Sequence, residues 1–173
     1  MDDIAVAMKV SKKAHRGQKD KAGAPYWKHP RRVAQLAVDL CFEVSICSID
    51  RPVVACAALL HDVVEDTRVT AKHLSDQGFS ALCVATVELL TKPVDASDLS
   101  DYYAAIAEDY LARTIKLADI ADNSNEHRMA NLTAENRERL TAKYEKALIA
   151  LGMTDEERAW LAAARRLPVP RKV

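Results

Sequence analysis

An unbroken apolar segment that ends in a cluster of ionisable residues is the feature that most constrains how this chain can fold. Residues 53–60 are all apolar, and His61, Asp62, Glu65 and Asp66 follow closely. A segment of this kind is typical of a helix that is buried on most sides. We expect the helix to continue through Asp66, because spacings of three and four residues then direct these side chains toward one site. Burying an imidazole and three carboxylates is costly without compensation, so the pattern indicates a divalent cation.

The composition favours an all-helical fold. The chain has 173 residues, enough for one domain with a sizeable core, and contains only 4 glycines and 6 prolines. Ala, Leu, Glu and Lys, which favour helices, are abundant, and no segment resembles a convincing strand. We predict a single all-α helical bundle over residues 1–166 and a flexible, basic C-terminal tail at 167–173.

Start and stop signals divide the chain into a series of predicted helices. Asp50 is a candidate N-cap for the apolar helix, and Gly152 is a candidate C-terminal stop. Thr154, followed three residues later by Glu157, indicates a capping box. The predicted helices cover residues 2–15, the stretch after His29-Pro30, the stretch after Asp50, and residues 70–77, 80–90, 101–109, 111–126, 133–151 and 154–166.

Charge and cysteine usage restrict the partners and the compartment. The 25 basic and 25 acidic residues balance, so net charge does not favour nucleic acid or an anionic membrane as a partner. No apolar run approaches the roughly 20 residues that span a bilayer, and the first residues lack a signal-peptide pattern. The 4 cysteines contain no Cys-x-x-Cys pair, which fits a reducing cytoplasm. We expect a cytoplasmic protein that binds a small molecule; a homo-oligomer is compatible with the sequence.

Two distant residues can complete a metal site with His61 and Asp62. His29 begins a predicted helix, and Asp119 lies in a largely apolar run where a carboxylate needs a partner. Two imidazoles and two carboxylates form a mixed nitrogen and oxygen set that suits Mn, Fe, Co or Zn better than Ca or Mg. Such a metal can acidify a bound water and neutralise charge on a transferring phosphoryl group.

Glu65 and Asp66 are then spare carboxylates beside the metal. They can position or deprotonate the attacking water and protonate the leaving group. Each of these residues could also have a purely structural role. His61 and Asp62 could form an ion pair at a helix end, His29 could cap a helix, and Glu65 and Asp66 could be solvated carboxylates. The whole set in one chain favours the metal.

Several motifs in the same order resemble the hydrolase half of the Rel/Spo alarmone enzymes. They are Ala-His-Arg-Gly-Gln-Lys at 14–19, Tyr-Trp-Lys-His-Pro at 26–30, Ala-Ala-Leu-Leu-His-Asp-Val-Val-Glu-Asp-Thr at 57–67, Thr-Lys at 91–92 and Lys-Leu-Ala-Asp at 116–119. The resemblance runs from about residue 14 to Asn123 and extends to Tyr144. Because the chain is short and shows no synthetase segment, it is most similar to the stand-alone small alarmone hydrolases, including the metazoan Spo-type enzyme.

The resemblance implies a fold, a reaction and a set of site residues. Members of this group are all-helical HD-superfamily proteins that use Mn²⁺ to remove the 3′-pyrophosphate of ppGpp or pppGpp. We therefore expect a single HD-type hydrolase domain with a central metal site and guanosine-3′,5′-bis(diphosphate) 3′-pyrophosphohydrolase activity, with other divalent transition metals also compatible. By position, the metal ligands are His29, His61, Asp62 and Asp119, and the catalytic pair is Glu65 and Asp66. The candidate substrate-binding residues are Lys19, Lys21, Lys92, Asn123 and Tyr144.

Two acidic residues depart from the family pattern and leave the nucleotide open. Asp20 stands where the family commonly has a basic residue, and Asp122 follows Asp119 where the family commonly has His or Tyr. We expect Asp122 to add negative charge beside a bound polyphosphate, which would weaken its binding. The alternatives are an HD phosphohydrolase for another nucleotide, such as an adenosine alarmone or NADPH, and a nucleotide-binding regulator with a degenerate centre. The intact set of metal and catalytic residues argues against the regulator.

Overall fold

Helices make up the regular structure of the chain, as the composition predicts. A computed structural model describes residues 3–20, 23–44, 50–94 and 98–168. The helices in these ranges are α1 (Ile4–Ala14), α2 (Lys28–Glu43), α3 (Arg51–Leu60), α4 (Val63–Asp66), α5 (Ala71–Asp76), α6 (Ala81–Leu90), α7 (Ser100–Glu108), α8 (Tyr110–Asn123), α9 (Glu126–Met129), α10 (Ala134–Leu151) and α11 (Asp155–Ala164). Within the same ranges no strand forms, and β-type pairing is limited to an isolated bridge between Lys19 and Pro25. The all-α prediction is confirmed.

Three helices form the centre of the bundle. α2 packs against both α3 and α8, and α3 packs against α1, α6 and α8. α7 and α10 cover another side of α8, and α11 packs against α2 and α8. The apolar segment predicted to be buried is buried, since every residue from 54 to 60 in α3 is almost inaccessible. Charged side chains at the junction of α2, α3 and α8 are therefore surrounded by apolar core.

The apolar helix ends earlier than predicted. α3 stops at Leu60, His61 and Asp62 form a turn, and α4 is a separate short helix. The carbonyl of Ala58 accepts a hydrogen bond from Nδ1 of His61 at 2.8 Å. A side chain thereby satisfies a carbonyl at the C-terminal end of α3, where helical partners run out. The expectation of one continuous helix through Asp66 is wrong, because a turn at His61 and Asp62 separates α3 from α4.

Capping signals account for the other helix ends. Thr154 and Glu157 form the predicted capping box of α11, and Gly152 ends α10 with a positive φ of 59°. Asp50 precedes α3 but makes no capping bond with its side chain, which accepts from the hydroxyl of Tyr110 instead. α9, which the sequence pattern does not predict separately, begins after Asn125, whose side chain caps it.

The remaining structural observations concern membrane-spanning helices, the cysteines and the C-terminal residues. None of the helices in the described ranges is long and apolar enough to cross a lipid bilayer. Cys41, Cys56 and Cys83 are buried free thiols, and Cys47 lies outside the described residues. In the predicted tail, the carbonyl of Leu167 accepts from Nδ2 of Asn125 at 2.9 Å, and residues 169–173 lie outside the described residues.

Candidate active site

The four predicted metal ligands converge where α2, α3 and α8 meet. His29 lies in the first turn of α2, His61 and Asp62 follow α3, and Asp119 lies within α8. Ligand atoms of His29, His61 and Asp119 all lie within 4.8 Å of one another. Oδ2 of Asp62 lies 3.0 Å from Nε2 of His61 and 3.6 Å from Nε2 of His29. The spacing is compatible with one ion held by all four side chains.

Hydrogen bonds at Nδ1 leave the Nε2 atom of both histidines directed at this cluster. Nδ1 of His29 donates to Oδ2 of Asp122 at 2.7 Å, and Nδ1 of His61 donates to the carbonyl of Ala58. Both acceptors lack a proton to give, so Nδ1 carries a hydrogen, and Nε2 is the nitrogen left to bind a metal once its own proton is displaced. Nε2 of His61 is buried and has no hydrogen-bond partner among the described residues. Its nearest charged neighbour is Oδ2 of Asp62 at 3.0 Å, and a buried nitrogen beside a carboxylate fits a metal ligand.

Neighbouring side chains hold the two ligand carboxylates. Lys116 donates to Oδ2 of Asp119 at 3.0 Å, Asn123 donates to Oδ1 of Asp119 at 2.6 Å, and Tyr26 donates to Oδ2 of Asp62 at 2.6 Å. Burial alone would raise the pKa of Asp119, but the charge of Lys116 and the hydrogen bond from His29 outweigh it and hold the pKa well below its usual range. Both carboxylates therefore enter the site as anions with fixed orientation.

The charge of the cluster also acts on its histidines. Burial lowers the pKa of His29, but hydrogen bonds and charges of Asp119 and Asp122 outweigh burial and raise it to about 9. Burial likewise lowers the pKa of His61, and the charge of Asp62 reverses the effect. The carboxylates of the site thus stabilise positive charge on the imidazoles. A divalent cation would supply that positive charge when it replaces protons on the two imidazoles.

A cavity of about 130 Å³, the metal pocket, opens beside the ligand cluster. Both predicted catalytic carboxylates, Glu65 and Asp66, line it. Of the predicted substrate-binding residues, Lys92, Asn123 and Tyr144 line it as well. Lys19 is exposed and does not line the metal pocket, and Lys21 lies outside the described residues.

Glu65 and Asp66 occupy different electrostatic surroundings. Oε1 of Glu65 pairs with Nζ of Lys92 at 2.7 Å, and Oε2 accepts from the backbone N–H of Lys92 at 3.1 Å. These contacts hold the Glu65 carboxylate in place. Burial and the charges of Asp62 and Glu65 raise the pKa of Asp66. One member of the pair is therefore fixed beside a lysine, while the other retains its proton to higher pH than an ordinary aspartate.

Four polar residues line the metal pocket in addition to those that the sequence motifs predicted. They are Tyr26, Tyr103, Lys116 and Lys143. Two of these carried a usable signal: Tyr26 lies within the 26–30 motif, and Lys116 precedes Asp119 by three residues, which places both on one helix face. Lys143 and Tyr103 come from distant segments, and nothing local indicates that they approach the metal ligands.

The two acidic departures from the family pattern take structural positions away from the metal pocket. Asp122 is 3% exposed and is absent from the lining of that pocket. Its carboxylate accepts from His29, from Nε of Arg32 at 2.5 Å and from Arg128. We expected Asp122 to add charge beside a bound polyphosphate, but its carboxylate lies outside the pocket lining, and donors from His29, Arg32 and Arg128 compensate its charge. Asp20 accepts from the backbone N–H of Ala24 at 2.9 Å and stabilises the loop after α1.

Comparisons with known proteins agree with this arrangement. The HD domain family model matches residues 26–150. A GTP pyrophosphokinase rsh of Brucella melitensis is 36% identical over 119 residues, which cover 63% of this chain and 15% of the relative. A guanosine-3′,5′-bis(diphosphate) 3′-pyrophosphohydrolase of Aquifex aeolicus is 32% identical over 129 residues, or 70% of this chain and 17% of the relative. The chain thus spans less than a fifth of these curated relatives.

A solved structure extends the similarity to nearly the whole chain. It is described as a metazoan ortholog of SpoT that hydrolyses ppGpp and plays a role in starvation responses, and it superposes with a TM-score of 0.72 at 25% identity. The superposition covers 93% of this chain and 92% of that structure. The predicted resemblance to Rel/Spo proteins is confirmed. Since the family model matches most of the chain and includes all four candidate ligands, the chain belongs to the HD domain family.

Proposed function

We propose that this chain is a metal-dependent guanosine-3′,5′-bis(diphosphate) 3′-pyrophosphohydrolase, which converts (p)ppGpp to GDP or GTP and pyrophosphate. The observation that carries the proposal is a cluster of two histidines and two carboxylates beside one pocket, which the Glu65–Asp66 pair also lines. The Aquifex relative bears the name of this activity, and the structural neighbour is described as hydrolysing ppGpp. Both support the choice of reaction and substrate.

His29, His61, Asp62 and Asp119 would hold the metal, and their mixed imidazole and carboxylate set suits Mn, Fe, Co or Zn. Of these we propose Mn²⁺, as the resemblance to the Rel/Spo hydrolases implies. When bound, the ion would acidify a water and neutralise charge on the phosphoryl group. The chain itself supplies the orientation. Asp122 holds His29 with Nε2 toward the site, and Ala58 does so for His61.

Glu65 and Asp66 divide the proton transfers. Glu65, fixed by both donors of Lys92, orients and deprotonates the water that attacks phosphorus. The bond between that phosphorus and the 3′-oxygen breaks, and the 3′-oxygen leaves with a proton. Asp66 supplies this proton, since its raised pKa keeps it protonated in a larger fraction of molecules than an ordinary aspartate.

The size of the metal pocket restricts which part of the substrate enters it. Its volume of about 130 Å³ lies below the roughly 300 Å³ at which small-molecule sites begin, so it receives the pyrophosphate and leaves the nucleoside at the mouth. Lys92 and Lys143 line it and can neutralise phosphate oxygens. Asn123 and Tyr144 would contact the adjoining sugar. Burial raises the pKa of Tyr144 to about 12, so its hydroxyl stays a hydrogen-bond donor.

The proposal also covers the substrate and the cellular compartment. Because Asp122 does not line the metal pocket and its charge is compensated by three donors, it does not argue against a guanosine polyphosphate. We propose the nucleotide as the sole ligand class of the site, with no role for nucleic acid or membrane, and a cytoplasmic location, which the buried free thiols of Cys41, Cys56 and Cys83 support.

The decisive experiment compares three nucleotides on Mn²⁺-reconstituted protein: ppGpp, its adenosine counterpart and NADPH. Pyrophosphate and orthophosphate are measured separately. We expect pyrophosphate from ppGpp in equal amount to GDP. Orthophosphate from NADPH, with ppGpp untouched, would replace the proposal with an NADPH phosphatase. Protein that binds a nucleotide and hydrolyses none of the three would refute the enzymatic assignment.

A further inference from the structure

A second cavity, of about 340 Å³, lies between α2 and the C-terminal end of α11. We propose that this rear cavity is a ligand site for a small anion with a flat apolar body, the class to which nucleoside monophosphates belong. Its volume falls in the range of about 300–1,000 Å³ typical of small-molecule sites. Cations along one edge and an apolar wall on the other define the chemistry of the ligand.

The cationic edge comes from one face of α2. Lys28, Arg31 and Arg32 all line the cavity, and their spacing of three and four residues places them side by side. Asp122 holds the guanidinium of Arg32 through two contacts of 2.5 and 3.0 Å. Among the described residues, neither Lys28 nor Arg31 has a carboxylate within ion-pair distance. The lining has two carboxylates, of which Asp122 is held by Arg32 and Asp39 accepts from Gln35 at 3.0 Å. Lys28 and Arg31 therefore keep positive charge that phosphate or carboxylate oxygens of a ligand would neutralise.

The apolar wall is held in place by hydrogen bonds. The apolar part of the lining comes from Leu36 of α2 and from Ala164, Leu167 and Pro168 at and after the end of α11. Nδ2 of Asn125 donates to the carbonyl of Leu167, which ties the segment after α11 to the segment before α9. A flat apolar group can pack against this wall while its anionic group reaches α2. An inorganic anion would leave the apolar wall in contact with water, and a neutral apolar molecule would leave the cations of α2 unpaired. The wall and the cations together therefore favour an anion with an apolar body.

The rear cavity and the metal pocket are separate sites. The two share no lining residue. Asp122 lines the rear cavity, and the hydrogen bond from His29 places this carboxylate between the cavity and the metal ligands. A ligand in the rear cavity would therefore bind without contacting any metal ligand. Variants at one site can be compared directly with variants at the other.

Calorimetric titration of Mn²⁺-loaded protein with adenosine 5′-monophosphate tests the proposal, because this probe has no pyrophosphate to release. We expect one molecule bound per chain, and at least tenfold weaker binding of inorganic phosphate and of adenosine alone. Arg31→Ala and Leu167→Ser should each weaken binding of the probe about tenfold or more, since each removes one of the two required features. Lys92→Ala, in the metal pocket, should leave it unchanged.

Controls separate this outcome from folding and general charge effects. Arg31 is exposed and Leu167 is 49% exposed, so both variants should retain the helical circular dichroism of the parent protein. Lys72→Ala removes an exposed cation paired with Asp76, remote from both cavities, and should bind the probe normally. Absence of binding, equal loss in Lys72→Ala, or loss in Lys92→Ala with retention in Arg31→Ala would each overturn the proposal.

Discussion

Replacing Asp122 with Asn should weaken metal binding even though Asp122 is not a proposed ligand. The carboxylate accepts from Nδ1 of His29 at 2.7 Å and from Arg32 and Arg128. An amide can keep its oxygen toward His29 only by turning its NH₂ group toward Nε of Arg32, where two donors then oppose each other. The alternative rotamer restores Arg32 but loses the bond that fixes the tautomer of His29. Neither orientation satisfies all three donors.

The size of the effect follows from burial and charge. Removing a partner that orients a metal-binding histidine costs about 10- to 100-fold in metal affinity, which corresponds to about 1.4–2.8 kcal/mol. Burial raises the pKa of Asp122, but hydrogen bonds from His29 and Arg32 outweigh it and lower the pKa to about 2. This depression corresponds to about 2 kcal/mol of stabilisation. We therefore expect metal-free Asp122→Asn to lose about 2 kcal/mol of unfolding free energy at neutral pH.

Calorimetric titration with Mn²⁺ and urea unfolding of the metal-free protein measure the two quantities separately. Asp39→Asn is the matched control, because it makes the same change on α2 at a carboxylate that accepts from Gln35 and contacts no metal ligand. The control should bind Mn²⁺ as the parent does. Parental Mn²⁺ affinity in Asp122→Asn would refute the orienting role of Asp122, and equal weakening in both variants would assign the effect to lost charge alone.

Three further predictions concern the catalytic pair, the buried Lys116 and unfolding at low pH. Glu65→Gln and Asp66→Asn should each lower turnover at least about 100-fold and leave Mn²⁺ affinity unchanged by calorimetry; loss of metal would instead make them ligands. Lys116→Met should lower the unfolding free energy of metal-free protein by about 3 kcal/mol, because Asp119 loses its buried counterion. Mn²⁺ should then raise the melting temperature more in this variant than in the parent, and equal shifts would contradict the ion-pair argument. Because the pKa of Asp122 is low in the folded protein, its ionised carboxylate stabilises the fold fully above about pH 4, and this stabilisation is lost as the pH falls toward 2. The unfolding free energy of metal-free Asp122→Asn should therefore fall less steeply with pH over that window than that of the parent.

Local sequence patterns predicted most helix positions and the donors of the metal site. The capping box at Thr154 and the stop at Gly152 depend on residues that are close in the chain, so their signals can be interpreted without a fold. The adjacent His61 and Asp62 after a wholly apolar segment, and Asp119 in a largely apolar run, indicated buried charge that needs a cation. In the folded protein, ligand atoms of His29, His61 and Asp119 lie within 4.8 Å of one another. Their roles as metal ligands stay a prediction for the titrations above.

Other features depended on contacts between distant elements, and sequence patterns did not show them. Helical periodicity predicted a straight helix through Asp66, but the hydrogen bond from His61 to Ala58 accompanies a break at residue 60. Spacing placed Asp122 one turn from Asp119 and suggested that both face the substrate. His29, Arg32 and Arg128 instead hold its carboxylate behind the metal ligands, in the lining of the rear cavity.

The sequence by itself determined the chemistry available to this protein: an all-helical chain with a mixed imidazole and carboxylate set and two further carboxylates nearby. The tertiary structure decided which charged groups meet. It brought Lys116 and Lys143 to the metal pocket, left Lys19 exposed, and formed the rear cavity from α2 and the end of α11. The physical reason is that periodicity specifies the face of a helix on which a residue lies, while only the packing of other helices specifies what that face contacts.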